Sequence, residues 1–213
     1  MPPYSPQRRR FLWQTLLSTL ALASKGNASD WQQGIRRLQG ELLVDGEAVA
    51  AGARIAPGST VQSGAESRTV LVMGADAYLI GAHTSLTFHP STNALPQQSS
   101  GFTLHSGRIL SVFASGKKQL QLPSIHIGIR GTGIFVQAEP LGDYLCLCYG
   151  KADIAVQNAA NYQEFLDSKH HTARLLETGK PLRPGALINH SDEELFMLEA
   201  LTGRLPSFSD SHY

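Results

Sequence analysis

Cys146 and Cys148 are the only cysteines in the 213-residue chain, and they stand one residue apart in Tyr144-Leu-Cys-Leu-Cys-Tyr149. On a strand, residues i and i+2 point to one face, so both thiols face together while Leu145 and Leu147 face the other way. Their Cβ atoms then lie about 6.5–7 Å apart, whereas a disulfide needs about 3.8 Å. A bridge between them therefore requires a bulge or a broken strand. Further on, Lys169-His-His-Thr172 sets two imidazoles side by side, and His190 follows near the C-terminal end. Two thiolates with one or two imidazoles make a tetrahedral zinc-type set, and thiolate softness also admits Cu(I). The candidate metal ligands are accordingly Cys146, Cys148, His170 and His171, although only one of two adjacent histidines on a strand can face inward. Two other readings stay open. The thiols can be buried core filler, the commonest place for a free cysteine, or a strained redox pair. C-x-C also departs from the usual C-x₂-C metal spacing, and core filler leads.

A second group of residues is Gly128-Ile-Arg-Gly-Thr-Gly133. It is not a phosphate loop, because the G-x₄-G-K-[S/T] spacing is missing and no periodic helix follows. The glycines instead fit a tight or bulged turn, with Arg130 expected to pin that turn by a hydrogen-bond fork to carbonyls or a carboxylate. Gly116-Lys-Lys118 reads as a solvated hairpin tip. No G-x-S-x-G elbow and no H-E-x-x-H motif occurs, so the chain is read as non-enzymatic, with a spatial triad as the distant alternative.

These residues must be positioned by strands. Glycines fall at 34, 40, 46, 52, 58 and 64, a spacing of six, and Leu43, Val49, Ile55 and Val61 follow four of them by three positions. Helices need apolar residues at three- and four-residue spacing, so this pattern predicts short strands cornered by glycine. Apolar bursts continue through Arg68–Met73, Ala77–Ile80 and Leu120–Ile129, and 134–136 with 144–149 form an expected hairpin joined near Pro140–Asp143. Pro90–Ser100 has turn composition. Only near the end does the period change. Ser191-Asp-Glu-Glu194 has capping-box form, Leu195, Leu198 and Leu201 make an apolar stripe, and Gly203 supplies a stop. One helix is predicted over 191–202. The fold class is all-β, a solenoid-like roll of short strands with one C-terminal α-helix.

Composition bounds the rest. The chain is 42% hydrophobic and 16% charged, with net charge +1, which gives no clustered basic face for nucleic acid. No apolar run reaches the 18 or more residues of a membrane span. Residues 1–23 read as a secretory signal: Arg8-Arg-Arg-Phe-Leu12 precedes an apolar stretch ending Ala21-Leu-Ala23, and the paired arginines fit the twin-arginine route. A general secretory signal and an uncleaved anchor are the alternatives. Cleavage leaves a periplasmic chain with 15 basic and 17 acidic residues. The expected organisation is signal 1–23, linker 24–33, β domain 34–158, a C-terminal extension 159–205 and a loose tail 206–213.

The segment from Gly40 to Val156 resembles the periplasmic domain of the ferric-citrate regulator (FecR) family. The resemblance rests on Gly40-Glu-Leu-Leu-Val-Asp-Gly46, Gly58-Ser-Thr-Val-Gln-Ser-Gly64, Gly128-Ile-Arg-Gly-Thr132 and Gly150-Lys-Ala-Asp-Ile154. It implies a solenoid-like β fold. Gly133 and Ile134 stand where the family has a polar residue followed by Phe, and only seven residues precede the arginines, so the family's sigma-factor segment is not expected here. The function implied is a stand-alone periplasmic binding, scaffolding or sensory module for an envelope protein or polymer. A metal or thiol-redox protein built on the Cys and His residues is the rival.

Overall fold

The first β-strands form between the glycine corners. In a computed structural model describing residues 33–91, 98–157 and 162–208, the glycines at 34, 40, 46, 52 and 58 all have positive φ. The leader 1–23, nearly all of the linker and residues 209–213 lie outside these described residues. Strands β1 (Gly34–Gln39), β2 (Leu42–Val44), β3 (Glu47–Ala48) and β4 (Thr60–Ser63) follow the corners. Val49 and Ile55 lie between strands, with Ile55 buried all the same. Thus the six-residue spacing marks turns more faithfully than it marks strands.

The remaining strands are β5 (Arg68–Met73), β6 (Asp76–Ile80), β7 (Ser85–Phe88), β8 (Gly101–Val112) and β9 (Lys117–Gln121). They are followed by β10 (Ile125–Glu139), β11 (Gly142–Val156), β12 (Gln163–Ser168), β13 (Thr172–Glu177) and β14 (Arg183–Pro184). The body is all-β, and its pairings are antiparallel except that β8 runs parallel to β9. β10 and β11 form the expected hairpin, with Glu139 opposite Gly142.

Three long strands make the layers by changing face midway. On β10, Ile125, Ile127 and Ile129 point into the main core, and beyond the break Ile134, Val136 and Ala138 do so. Odd positions give way to even ones. Such a switch needs an odd number of extra residues, and the ladder shows it: Arg130 pairs with Lys151, Gly133 with Tyr149, so Gly131 and Thr132 together oppose Gly150. β11 switches too, from Leu145 and Leu147 to Ala152 and Ile154. The register slips again between Gly133 and Ile134, which leaves Cys148 as the extra residue on β11.

The glycine motif is therefore a bulge, as its composition predicts. Gly131 has φ +53, and a Cβ there would make only ordinary contact with the Ser115 backbone at 3.6 Å, while at Gly150 a Cβ would sit 2.5 Å from Thr132 Cγ2. Gly131→Val is expected to destabilise by about 1–2 kcal/mol, the cost of a left-handed backbone in a side-chain-bearing residue, read as a lower chemical-denaturation midpoint. Arg130 departs from expectation. It is exposed, and its side chain makes no hydrogen bond or ion pair among the described residues; the bulge is held by backbone pairing.

The lysine pair also departs from a solvated tip. Strand alternation on β9 sends Lys117 outward and Lys118 inward, where it is 5% exposed. Its Nζ donates to Asp76 Oδ2 at 2.7 Å and to the Ser99 carbonyl at 2.5 Å. Asp76 is fully buried, and its other oxygen accepts the Ala114 amide.

The opposite face of the central strands carries a second core of Val70, Val72, Leu110, Phe135, Cys146 and their neighbours. Helix α1 (Asp192–Leu201) covers it with Leu195 and Leu198. The Glu194 carboxylate accepts the Ser191 amide at 3.1 Å, and Gly203 at φ +73 ends the helix. No helix among the described residues is long and apolar enough to cross a membrane. The chain after Pro206 is less loose than expected: Phe208 is buried, with its ring 4.6 Å from that of His170 and 5.9 Å from that of Tyr149.

Candidate metal centre

Strand β11 places Cys146 and Cys148 on the second-core face, opposite to Leu145 and Leu147. Both thiols are fully buried, and neither is in a disulfide. The turn from β12 to β13 brings in His171, whose backbone is left-handed at φ +47 and whose amide donates to the Cys148 carbonyl. That backbone is unfavourable for histidine, and such strain concentrates where a side chain must be aimed. The segment leading into α1 supplies His190. It is held by the Tyr144 hydroxyl, which donates to the Ala186 carbonyl at 2.8 Å, and by Asn189, whose amide donates to Gln137. The His190 ring stacks on Phe135 at 4.6 Å.

Four atoms converge: Cys146 Sγ, Cys148 Sγ, His171 Nδ1 and His190 Nε2 lie within 4.8 Å of one another. Cys146 Sγ is 3.5 Å from His171 Nδ1, Cys148 Sγ is 3.4 Å from His190 Nε2, and the two nitrogens are 3.3 Å apart. Tetrahedral zinc, with bonds of about 2.3 Å to sulfur and 2.0–2.1 Å to nitrogen, sets S···N at about 3.5 Å and N···N at about 3.4 Å. The three distances match that polyhedron.

The outer nitrogens fix the tautomers. His171 Nε2 lies 2.8 Å from Asp192 Oδ1, and His190 Nδ1 lies 2.7 Å from the Ile188 carbonyl. A carboxylate and a carbonyl only accept, so these outer nitrogens carry the ring protons. In the neutral rings the inner nitrogens then turn lone pairs toward each other and toward two sulfurs. Carboxylate–histidine and carbonyl–histidine contacts of this kind orient the ligands of metal sites.

Proton positions can also hold the cluster together. The Cys148 thiol hydrogen-bonds Cys146 and, against the cost of burial, joins His171 and His190 in holding the Cys146 thiol well below its ordinary range. Burial pushes Cys148 up. For His171, burial favours the neutral ring, but hydrogen bonds to Cys146 and Asp192 outweigh it and raise its pKa. Desolvation works against the Asp192 carboxylate, yet His171 and His170 together hold it below its usual value. Metal binding to such a set requires both thiols deprotonated and both rings neutral, so it would release protons.

Of the four expected ligands, Cys146, Cys148 and His171 meet. His170 does not join them: its Nε2 bonds the Asp192 carboxylate at 3.0–3.1 Å, near the surface. His190 takes the fourth place. Its signal in the sequence is faint, 42 residues from Cys148 with no spacing motif, and Asp192 is legible only as a helix-start acid.

No family model matches this chain, and no curated protein does. Two crystal structures of a candidate anti-sigma factor from Parabacteroides distasonis are similar to it, with TM-scores of 0.49 and 0.48 at 9% identity. Each match covers 59% of this chain and 58% of the solved one.

Proposed function

We propose that this is a non-catalytic metal-binding β module in which Cys146, Cys148, His171 and His190 hold one tetrahedral divalent ion, zinc by the mixed sulfur–nitrogen set. The observation that carries this reading is the pair of inner imidazole nitrogens 3.3 Å apart, each also within 3.5 Å of a sulfur. Four protein ligands complete the coordination shell and leave no open position for a substrate, the mark of a structural site. The ion would join β11, the β12–β13 turn and the entry to α1, fastening the C-terminal segment over the second core. Cu(I) is the softer rival. The arginine-rich leader supports export to the periplasm of a chain already folded around its ion, and the FecR-like motifs support a recognition module there.

The test is elemental analysis of the full chain, with cobalt substitution to read the geometry. One zinc per chain is expected, with intense tetrahedral cobalt absorption. His190→Ala should lose the metal, whereas His170→Ala should keep it. Affinity should fall on acidification, because the ligands must shed protons to bind. A metal-free chain that takes up neither zinc nor Cu(I), with His190→Ala unchanged in stability, would overturn the reading. Stoichiometric copper in place of zinc would overturn the choice of ion.

A further inference from the structure

Away from the metal centre, the bulge motif lines a groove of about 360 Å³, within the range of small-ligand sites, about 300–1,000 Å³. Arg130 stands directly opposite Lys117 on β9 and Lys151 on β11, so three cations lie in one row across three strands. Adjacent strands are about 4.8 Å apart, and like charges directly opposite destabilise a sheet. One of the three is partly compensated, Lys151 reaching Asp167 at 3.4 Å on the exposed surface. Lys117 and Arg130 have no ion pair among the described residues, and the buried ion pair of Lys118 faces the other way.

The next row along the same strands is different in kind. Gln119 is opposite Gly128, and Gly128 is opposite Asp153, which in turn pairs with Phe165 on β12. Gly128 gives the groove a floor without a side chain, where a Cβ would meet the Gln119 amide at 3.4 Å. Phe165 is 59% exposed. The groove therefore offers cations along one row and, beside it, an apolar ring with an amide and a carboxylate.

We infer that this groove binds a sugar acid of the uronic type, one ring at a time: carboxylate on Arg130 and its flanking lysines, ring face on Phe165 and over Gly128, hydroxyls on Gln119 and Asp153. Arginine suits a planar carboxylate because its fork makes two parallel hydrogen bonds. Asp153 decides against a dense polyanion. A carboxylate beside the cations repels a second negative charge but accepts well from a hydroxyl. One negative charge per ring, with hydroxyls around it, is the chemistry that satisfies both rows. The groove shares no residue with the metal ligands, so either reading stands if the other fails.

The experiment is calorimetric titration of the full chain with tetragalacturonate, galacturonate, cellotetraose and inorganic tripolyphosphate at physiological salt. Saturable binding is expected for tetragalacturonate and none for the neutral cellotetraose. Tighter binding of the tetramer than of galacturonate points to a polymer as the source, and equal affinities to a free sugar acid. Arg130→Gln should weaken binding at least tenfold and Phe165→Ala at least fivefold, both with unchanged melting midpoints, since both side chains are exposed. No saturable uronate binding, or affinity unmoved by Arg130→Gln, overturns the proposal. So does tripolyphosphate binding tighter than tetragalacturonate and strengthened by Asp153→Asn, which would make the row a phosphate site.

Discussion

Saturating zinc is expected to stabilise the full chain by at least about 4 kcal/mol, the value reached when free metal is a thousandfold above its dissociation constant. For a chain of this size, that moves the melting midpoint by about 8–16 °C. The effect should be large because the four ligands come from three separate segments, Cys146 and Cys148 on β11, His171 in a turn and His190 before α1. An ion that ties them together binds the folded chain and finds no assembled site in the unfolded one. The Cys146→Ser, Cys148→Ser double variant should melt at one temperature with or without zinc, and a chelator should bring the wild-type chain down toward its own metal-free midpoint. Amide exchange should localise the loss: chelation should raise exchange in α1 and in 185–191 before it reaches β5, β6 and β8. A melting midpoint indifferent to both zinc and chelator would refute a structural ion.

Lys118→Met is expected to cost about 3–5 kcal/mol, because it strands a buried carboxylate without its counter-charge. Asp76 has no exposure to fall back on, and in Lys118→Met only the Ala114 amide still donates to it. The double variant Lys118→Met, Asp76→Asn should recover most of the loss, since a neutral amide still accepts from Ala114 and carries no charge to desolvate. The pH dependence has a definite sign. Burial already raises the Asp76 carboxyl in the folded chain, with Lys118 and the Ala114 amide pulling it back. Removing Lys118 lets it climb further. A group held more tightly protonated in the folded state supports folding in acid and costs stability as pH rises from its unfolded value, about 3.9, through the folded one. Lys118→Met should therefore be least damaging near pH 4 and increasingly damaging as the pH rises from there, as read by denaturant titration across pH. A penalty that is flat with pH would show that Asp76 does not carry the cost.

The elements were legible wherever the signal is local. The apolar stripe of Leu195, Leu198 and Leu201 with the acids after Ser191 gives α1 to within a residue at each end. Alternation in Leu145-Cys-Leu-Cys148 gives two thiols on one face. The glycines of Arg130-Gly-Thr-Gly133 give the bulge, because positive φ is a property of one residue and its neighbours. The surroundings of Arg130 are illegible for the same reason: a local pattern shows that a turn is tight, not what lies beside it. Lys118 looked like solvent-facing charge because Asp76, 42 residues away, is what makes its burial possible.

From the amino-acid order alone came the all-β body, the terminal helix and the placing of two cysteines on one side of a strand. Alternation, helical period and glycine backbone freedom act over a few residues, so they can be read along the chain. Only the folded molecule decided that His190 rather than His170 meets the thiols. His171 and His170 are neighbours with equal claims in the sequence, and the left-handed turn aims one inward while Asp192 holds both from outside. The fourth side chain of the cluster arrives through the docking of the segment before α1 over Phe135 and Tyr144. That docking is driven by burying the second core's apolar face, a sum over many distant residues that no short stretch of sequence displays.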